Sequence, residues 1–475
     1  MNTDRQPRRE MGALLALVAA GLALALACVG RGWINPEVEH FFPHYLSARP
    51  LPALLFDPNG TDWNNFQSRE LSYLFDWVDC RFILACTQAG FPHFLSLSHL
   101  GLAATVAVML FQFARRDCGV PFGASLGLTA VWLTAPAVVL GGVYYRSAKI
   151  AAAAALMLVL TTAWRYHQGG RRRRLAAVGV GGLAAALCDR QGFFLLLFFV
   201  LWTGWRAVAG QDRRARQLAL VSGGAVLAGQ IYSSIIAPGL IRHYTGNPPD
   251  TSFLHLPWPT LLTDATVLKE VFVYAPLNAI ESLGYQLGNI PPVLLGLAIA
   301  AGAALLPHPR GASIVPARRW YEASWWLSAV LAIVLLDMGM ALRQGNVVTL
   351  PDFQHFYYPL PPTAWLFVAM ALAAGAALAR GWLRPRTVTV ALAILALSNL
   401  VSLPNNRLIN STGVNRLQIA EGPGHLAALR ADHPPADSNP AVRALRAAAW
   451  PDQKAIPAAS ATGGNLTPKP GPDRP

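Results

Sequence analysis

The stretch Met11–Gly30, MGALLALVAAGLALALACVG, contains twenty residues and no charged side chain. An α-helix of that length rises about 30 Å, which matches the hydrocarbon thickness of a bilayer. Backbone polar groups have no water partners in lipid, so such a stretch crosses a membrane only as a helix. Comparable apolar stretches recur at Leu97–Phe113, Leu218–Leu240 and Thr363–Ala379. The sequence therefore predicts an all-α, polytopic transmembrane helix bundle.

The overall composition excludes a soluble multidomain chain, because 54% of the 475 residues are hydrophobic and only 13% are charged. A basic leader precedes the first apolar stretch, as in a signal peptide. The following sequence, Gly32-Trp33-Ile34-Asn35, lacks the small residues of a cleavage site. We therefore expect the first stretch to be retained as a membrane helix.

The net charge of +14 raises the question of nucleic-acid binding, but the distribution of the basic residues explains it differently. Alternate connections between apolar stretches hold twenty Lys and Arg residues, whereas three short connections on the other side hold four. This is the positive-inside pattern, and it predicts a cytoplasmic N-terminus and no nucleic-acid partner. Because the composition is rich in Arg and Ala, as in bacterial chains of high genomic GC content, we expect a multi-pass protein of the bacterial inner membrane.

This orientation divides the chain into three regions. Residues 1–10 form a basic cytoplasmic N-terminus, residues 11–403 form the transmembrane domain, and residues 404–475 form a periplasmic, partly disordered tail. Large periplasmic loops are expected at 31–92 and 241–289. We expect ten or eleven spans, and the eleven candidates are 11–30, 93–113, 121–141, 150–165, 175–188, 192–207, 218–240, 290–306, 320–341, 359–379 and 387–403.

The first periplasmic loop is rich in carboxylates and contains a segment, 67–79, with the spacing of an amphipathic surface helix. A carboxylate tethered there can act as a general base or hold a divalent cation beside a phosphate. The alternative is a solvated acidic loop without chemistry. The candidate catalytic residues are Glu37, Glu39, Asp76 and Asp79, and the neighbouring candidates for acceptor binding are Arg69, Glu70 and Tyr73.

Two short turns on the periplasmic side carry basic residues against the positive-inside trend. Arg146 and Lys149 lie in one turn, and Arg190 lies in the other beside Asp189 and Gln191. Arginine donates two parallel hydrogen bonds to a phosphate and lysine supplies a point charge, so the three cations are candidates for phosphate binding. The alternatives are that they extend to lipid headgroups or pair with Asp189. Asp189 and Gln191 are candidates for substrate binding.

The segment before the tenth predicted span offers Asp352 and His355, three residues apart, as an acceptor or metal site. One such pair is much less specific than a metal-binding motif, so the identity of any metal stays open, and a divalent cation is the one candidate cofactor. The neighbouring Tyr357 and Tyr358 also suit an interfacial aromatic belt. No Walker loop, dinucleotide fingerprint, Cys-x-x-Cys or His-Glu-x-x-His motif occurs, so nucleotide and soluble cofactors are not implied.

The arrangement resembles the C-type (GT-C) membrane glycosyltransferases, and among them the type of glycosyltransferase family 39. Glu37-Val38-Glu39 occupies the place of the acidic residues that follow the first span in that superfamily, and Arg146, Lys149 and Arg190 suit its basic periplasmic loops. The segment Arg69-Glu70-Leu71-Ser72-Tyr73 is similar to that of bacterial members outside the well-studied branches. The resemblance covers residues 11–403 in topology and implies a polyprenyl-phosphate sugar donor within the membrane lipid.

The function expected from these features is sugar transfer from a polyprenyl-phosphate donor to an acceptor at the periplasmic face. A non-catalytic polytopic protein and a transporter or flippase of a lipid-linked glycan are the alternatives. A transporter needs polar residues near the bilayer midplane, whereas a transferase needs them at one face, and most here gather at the periplasmic face. Asp337 is the exception, and the sequence assigns it no role.

Overall fold

A computed structural model describes residues 5–28, 44–62, 66–89, 96–143, 147–249, 283, 314–345 and 359–402. All regular structure in these ranges is helical. The helices, numbered in chain order, are α1 Arg5–Cys28, α2 Leu51–Leu55, α3 Pro58–Asp62, α4 Glu70–Gln88, α5 Leu97–Gln112, α6 Phe122–Thr134, α7 Pro136–Val143, α8 Ala148–Gly169, α9 Arg172–Cys188, α10 Arg190–Ala209, α11 Arg213–Ile231, α12 Ala237–Thr245, α13 Ile314–Gly345, α14 Leu360–Ala379 and α15 Pro385–Ser402. The predicted all-α class is confirmed for this part of the chain.

Five helical segments are long and apolar enough to cross a membrane by length and composition. They are Leu97–Asp117, Ala148–Gly169, Arg190–Ala209, Arg213–Thr245 and Leu360–Ala379. Two of them contain a π-helical turn. The turn Phe113–Asp117 ends the first segment, and the turn Tyr232–Ile236 connects the two α-helical parts of the fourth. These five segments are compatible with a multi-pass membrane protein. The predicted total of ten or eleven spans stays a prediction, and the candidate at 290–306 and the tail at 404–475 lie outside the described residues.

The predicted span at 121–141 is two helices in the structure. Ala135 is extended, with φ −61° and ψ 135°, between the end of α6 and the start of α7. The following residue, Pro136, has no N–H to donate and disfavours helical backbone at the residue before it. The apolar composition is continuous across this break, so composition alone does not reveal it. The prediction of one helix over 121–141 is therefore wrong at Ala135.

The bundle core surrounds α8, whose apolar window is mostly buried. Buried aromatic side chains fill the space between helices, with Trp132 packed edge-on against Phe367 at 5.3 Å and Trp164 against Trp326 at 5.8 Å between ring centroids. By contrast, the apolar window of α11 and α12 is largely exposed. Exposed apolar side chains on this outer surface are what a lipid-facing helix requires.

Ionisable side chains collect at the two ends of this bundle. The first-loop helix α4 packs at one end, here called the loop end, and the arginine-rich connections mark the other, here called the arginine end. Glu322 and Asp337 both belong to α13 and are separated by fifteen residues, which is about 23 Å along a helix. Glu322 pairs at the arginine end with Arg206, and Asp337 lies at the loop end. The polar layers are thus separated by nearly a membrane thickness.

Candidate functional site

The sequence predicts a surface helix over 67–79, whereas the first-loop helix α4 begins at Glu70, ends at Gln88 and is held against the bundle by a buried carboxylate. Asp79 Oδ2 accepts hydrogen bonds from the hydroxyls of Ser96, at 2.5 Å, and Ser147, at 3.0 Å, and Asp79 Oδ1 accepts one from the Ser98 backbone N–H at 2.8 Å. Burial raises the pKa of Asp79 to about 6, although these hydrogen bonds favour its charged form. Asp79 therefore joins α4 to the start of α5 and the turn before α8.

Asp76 lies about one helical turn before Asp79 on α4 and contacts the same turn before α8. Its Oδ1 accepts a hydrogen bond from the backbone N–H of Ser147 at 3.1 Å, and its side chain is 1% exposed. Two of the four predicted catalytic carboxylates thus bind structural donors, and their catalytic role stays a prediction. Their geometry gives them a definite positioning function, because they fix α4 relative to the turn that precedes Lys149.

Three buried charged side chains lie beside this contact between α4 and the turn before α8. Lys149 Nζ donates a hydrogen bond to Asp189 Oδ1 at 2.7 Å, and Arg69 Nη1 lies 3.7 Å from Asp189 Oδ2. The side chains are 6%, 1% and 6% exposed for Lys149, Asp189 and Arg69. Pairing of these cations with Asp189, one of the alternatives drawn from the sequence, is thus confirmed for Lys149 and extends to Arg69.

The turn between α9 and α10 places Asp189 at this position. Its backbone is extended, with φ −163°, and its Oδ1 accepts the Gln191 N–H at 2.8 Å, so Asp189 is the N-cap of α10. The reversal is so tight that a Cβ added to Gly192 would stand 2.2 Å from the Ala185 carbonyl oxygen. A glycine is required here by the close approach of two backbones.

Asp337 joins the group from α13. Gln191 Nε2 donates a hydrogen bond to Asp337 Oδ2 at 3.2 Å across a sequence separation of 146 residues. The other oxygen, Asp337 Oδ1, is buried and has no hydrogen-bond partner among the described residues, and the same holds for Gln191 Oε1. We call Arg69, Lys149, Asp189, Gln191 and Asp337 the loop-end cluster. Sequence reasoning assigned Asp337 no role, because its neighbours are distant in the chain.

Three further predicted residues lie next to the loop-end cluster. The Arg69 guanidinium lies 5.9 Å from the centroid of the buried Tyr73 ring. Glu70 is buried, and its carboxylate lies close to the hydroxyl of Tyr232 in the π-helical turn after α11. The Arg190 guanidinium lies 5.6 Å from the centroid of the Phe194 ring. The structure therefore brings together most of the predicted residues that it describes.

Other predicted residues lie outside the described ranges. These are Glu37, Glu39, Arg146, Asp352 and His355. Within the described ranges, no three side chains of His, Cys, Asp or Glu converge to hold a metal ion. Cys80 and Cys86, which share the first loop, lie six residues apart on α4 and form no disulfide with each other.

No protein-family model matches the sequence, and a search of curated proteins finds no match. The chemistry of the loop-end cluster has therefore to be argued from its own geometry.

Charges at the end of a membrane bundle are costly to bury and are kept mainly where they serve function. Asp189 is already engaged by Lys149, by Arg69 and by the N–H of Gln191. Asp337 has no cation within ion-pair distance among the described residues, and its buried Oδ1 has no hydrogen-bond partner among them. The loop-end cluster thus combines cations suited to a phosphate with a carboxylate suited to a general base.

Proposed function

We propose that this chain is a membrane glycosyltransferase that transfers a sugar from a polyprenyl-phosphate donor to an acceptor at the loop end of the bundle, on the periplasmic face of a bacterial inner membrane. The observation that carries the proposal is the buried loop-end cluster, in which Lys149, Arg69 and Asp189 lie next to Asp337, a carboxylate with no cation within ion-pair distance among the described residues. The apolar exposed surface of the bundle suits a donor that arrives through the lipid.

Arg69, Lys149 and Arg190 are assigned to the donor phosphate. Asp189 holds Lys149 and Arg69 in place, so Asp189 is a positioning residue. Cations fixed before the reaction stabilise the negative charge that develops on a leaving phosphate without having to reorganise. Asp76 and Asp79 contribute by fixing the helix and the turn that carry Arg69 and Lys149.

Asp337 is assigned as the general base. The acceptor hydroxyl forms a bond to the anomeric carbon of the sugar, its proton passes to Asp337 Oδ1, and the bond from the anomeric carbon to the phosphate oxygen breaks. Polyprenyl phosphate leaves with the bonding electron pair. Gln191, which donates to Asp337 Oδ2, orients the carboxylate for this step. General-base catalysis of this kind contributes about 10²- to 10⁴-fold in rate.

A transporter or flippase of a lipid-linked glycan is the second candidate. It is favoured by the burial of Asp189 and Asp337 close to Lys149, since buried ionisable residues of membrane bundles also form proton relays. The two functions differ in the fate of one bond. A transporter moves the donor between leaflets with its sugar–phosphate bond intact, whereas a transferase cleaves that bond.

The test is to reconstitute the full chain in proteoliposomes with polyprenyl phosphates that carry radiolabelled hexoses or pentoses and with an extract of envelope acceptors. We expect label to leave the lipid and enter an acceptor, with release of polyprenyl phosphate. We expect Lys149→Met to raise the donor concentration needed for half-maximal rate. Movement of intact labelled donor to the opposite leaflet without cleavage would instead support the transporter.

A further inference from the structure

An open cleft of about 710 Å³ lies at the arginine end, where α10 finishes and α11 begins. It lies at the opposite end of the bundle from the loop-end cluster and plays no part in the proposed transfer. Its lining combines apolar, amide and guanidinium side chains: Ala207, Val208, Gln211, Arg213, Arg216 and Gln217.

The two arginines of the cleft differ from their neighbours in having no acidic partner among the described residues. Arg206 pairs with Asp212 at 3.2 Å and with Glu322 at 3.1 Å, and Arg165 pairs with Asp117 at 2.7 Å. Arg213 and Arg216 are exposed, and neither forms an ion pair with any residue in the described ranges.

The nearest carboxylate to these arginines, that of Asp212, already has other partners. Asp212 Oδ2 lies 2.8 Å from His167 Nε2, and Asp212 Oδ1 caps α11 by accepting the N–H groups of Arg214 and Ala215. Asp212 therefore has little capacity left to neutralise the cleft. The cleft presents two positive charges that an anionic ligand can approach from solvent or from the membrane surface.

The surface that continues from the cleft is apolar on both helices. Arg213, Arg216, Leu220 and Leu227 follow one face of α11 at intervals of three, four and seven residues, and the two leucines are 69% and 61% exposed. On α10, the exposed side chains Leu201, Trp205 and Val208 follow a second face at intervals of four and three. A basic cleft thus opens onto two apolar strips that lead along the bundle.

We propose that this cleft binds the headgroup of an anionic phospholipid, with the acyl chains lying against the exposed strips of α10 and α11. Arg213 and Arg216 donate hydrogen bonds to the phosphate, and Gln211 and Gln217 face the polar remainder of the headgroup. Basic pockets between membrane helices suit this ligand class. A free phosphate would use the same arginines, but it would leave the apolar strips without a partner.

The experiment is native mass spectrometry of the full-length protein in a neutral detergent, titrated with palmitoyl-oleoyl phosphatidylglycerol or with the phosphatidylcholine of the same chains. The test variant is Arg213→Gln with Arg216→Gln. The matched control is Arg384→Gln with Arg386→Gln, which removes two exposed arginines from another part of the bundle. All four side chains are exposed, so the variants are expected to fold, and size-exclusion chromatography with thermal unfolding checks this.

We expect the wild type and the control to retain phosphatidylglycerol in preference to phosphatidylcholine. We expect the test variant to bind phosphatidylglycerol about 30-fold more weakly, from the ordinary contribution of two arginines at a membrane surface. Equal loss in test and control variants, or no preference for the anionic lipid, overturns the proposal in favour of diffuse charge. Displacement of the lipid by millimolar sodium phosphate overturns it in favour of a soluble phosphate site.

Discussion

Lys149 and Asp189 form a buried ion pair, with 2.7 Å between Nζ and Oδ1, across two turns that are forty residues apart in the chain. The pair fastens the start of α8 to the start of α10. The same Asp189 carboxylate also caps α10 and faces Arg69 of the first loop. One carboxylate thus connects two bundle helices and the first-loop segment that precedes α4.

Removal of both members of this pair is expected to destabilise the protein by less than the two single removals added together. Lys149→Met leaves a buried carboxylate poorly compensated, and a broken buried pair costs about 3–5 kcal/mol. Asp189→Asn removes the charge but keeps the helix cap, because Asn caps as well as Asp. A double-mutant cycle can be measured by unfolding the variants in detergent. The free energy of unfolding of the double variant should fall by less than the sum of the decreases in the two single variants. Simple additivity would contradict a direct interaction.

Gly192 and Gly204, both in α10, provide a matched pair of glycine substitutions. A Cβ at position 192 would stand 2.2 Å from the Ala185 carbonyl oxygen, whereas one at position 204 meets nothing within 4 Å. Gly192→Ala should therefore lower the free energy of unfolding of the protein by about 1–3 kcal/mol or more, because the backbone must move. Gly204→Ala should be neutral or stabilise by up to about 1 kcal/mol, because alanine favours a helix over glycine. Thermal unfolding of both variants measures the difference, and equal midpoints would contradict the described turn.

Asp79 is expected to make stability depend on pH between about 4 and 6. Burial raises its pKa to about 6 from the usual 3.8, so between these values the folded state holds a proton that the unfolded state has lost. Folded protein binds more protons there, and its stability therefore falls as pH rises from about 4 to 6, by up to about 3 kcal/mol.

Asp79→Asn tests this dependence. The amide oxygen still accepts the Ser98 N–H, and the amide nitrogen donates to the hydroxyls of Ser96 or Ser147 after these rotate. Unfolding midpoints measured from pH 4 to pH 7 should fall with rising pH in the wild type more steeply than in the variant. Parallel profiles would show that another group governs this pH range.

The orientation of the bundle can be tested at the two ends of the continuous helical segment from Arg213 to Thr245. Alkaline phosphatase fused after Asn247 should be active in bacterial cells, because the loop end is expected to face the periplasm. The same enzyme fused after Gln211 should be inactive, because the arginine end is expected to face the cytoplasm. The reverse result would place the loop-end cluster inside the cell and would contradict transfer at the outer face.

Hydrophobic periodicity and charge placement predicted the helical elements well, because helix formation in lipid is decided by local composition. The helices α8, α9, α10, α14 and α15 overlie their predicted spans closely. The π-helical turns at Phe113–Asp117 and Tyr232–Ile236 carried no recognisable signal, since they insert one residue into an otherwise regular apolar pattern.

The candidate site was predictable only in part. Residues near one another in the chain, such as Asp189 and Gln191, were identified from their short turn. The contact between Gln191 and Asp337 depends on how α13 packs against α10, and helix packing leaves no trace in local composition. Asp76 and Asp79 were recognised as unusual carboxylates, but their hydrogen bonds to Ser147 could not be anticipated from spacing.

The rate of sugar transfer in Asp337→Asn, measured in proteoliposomes beside the wild type, tests the central claim most directly. The asparagine keeps the oxygen that accepts from Gln191 and removes only the ability to take a proton, so a drop of about 100-fold or more is expected with the protein still folded. Asp117→Asn, which alters an ion pair at the arginine end, is the control and should retain activity. Wild-type rates in Asp337→Asn, or no cleavage of donor by the wild type, would contradict the assignment.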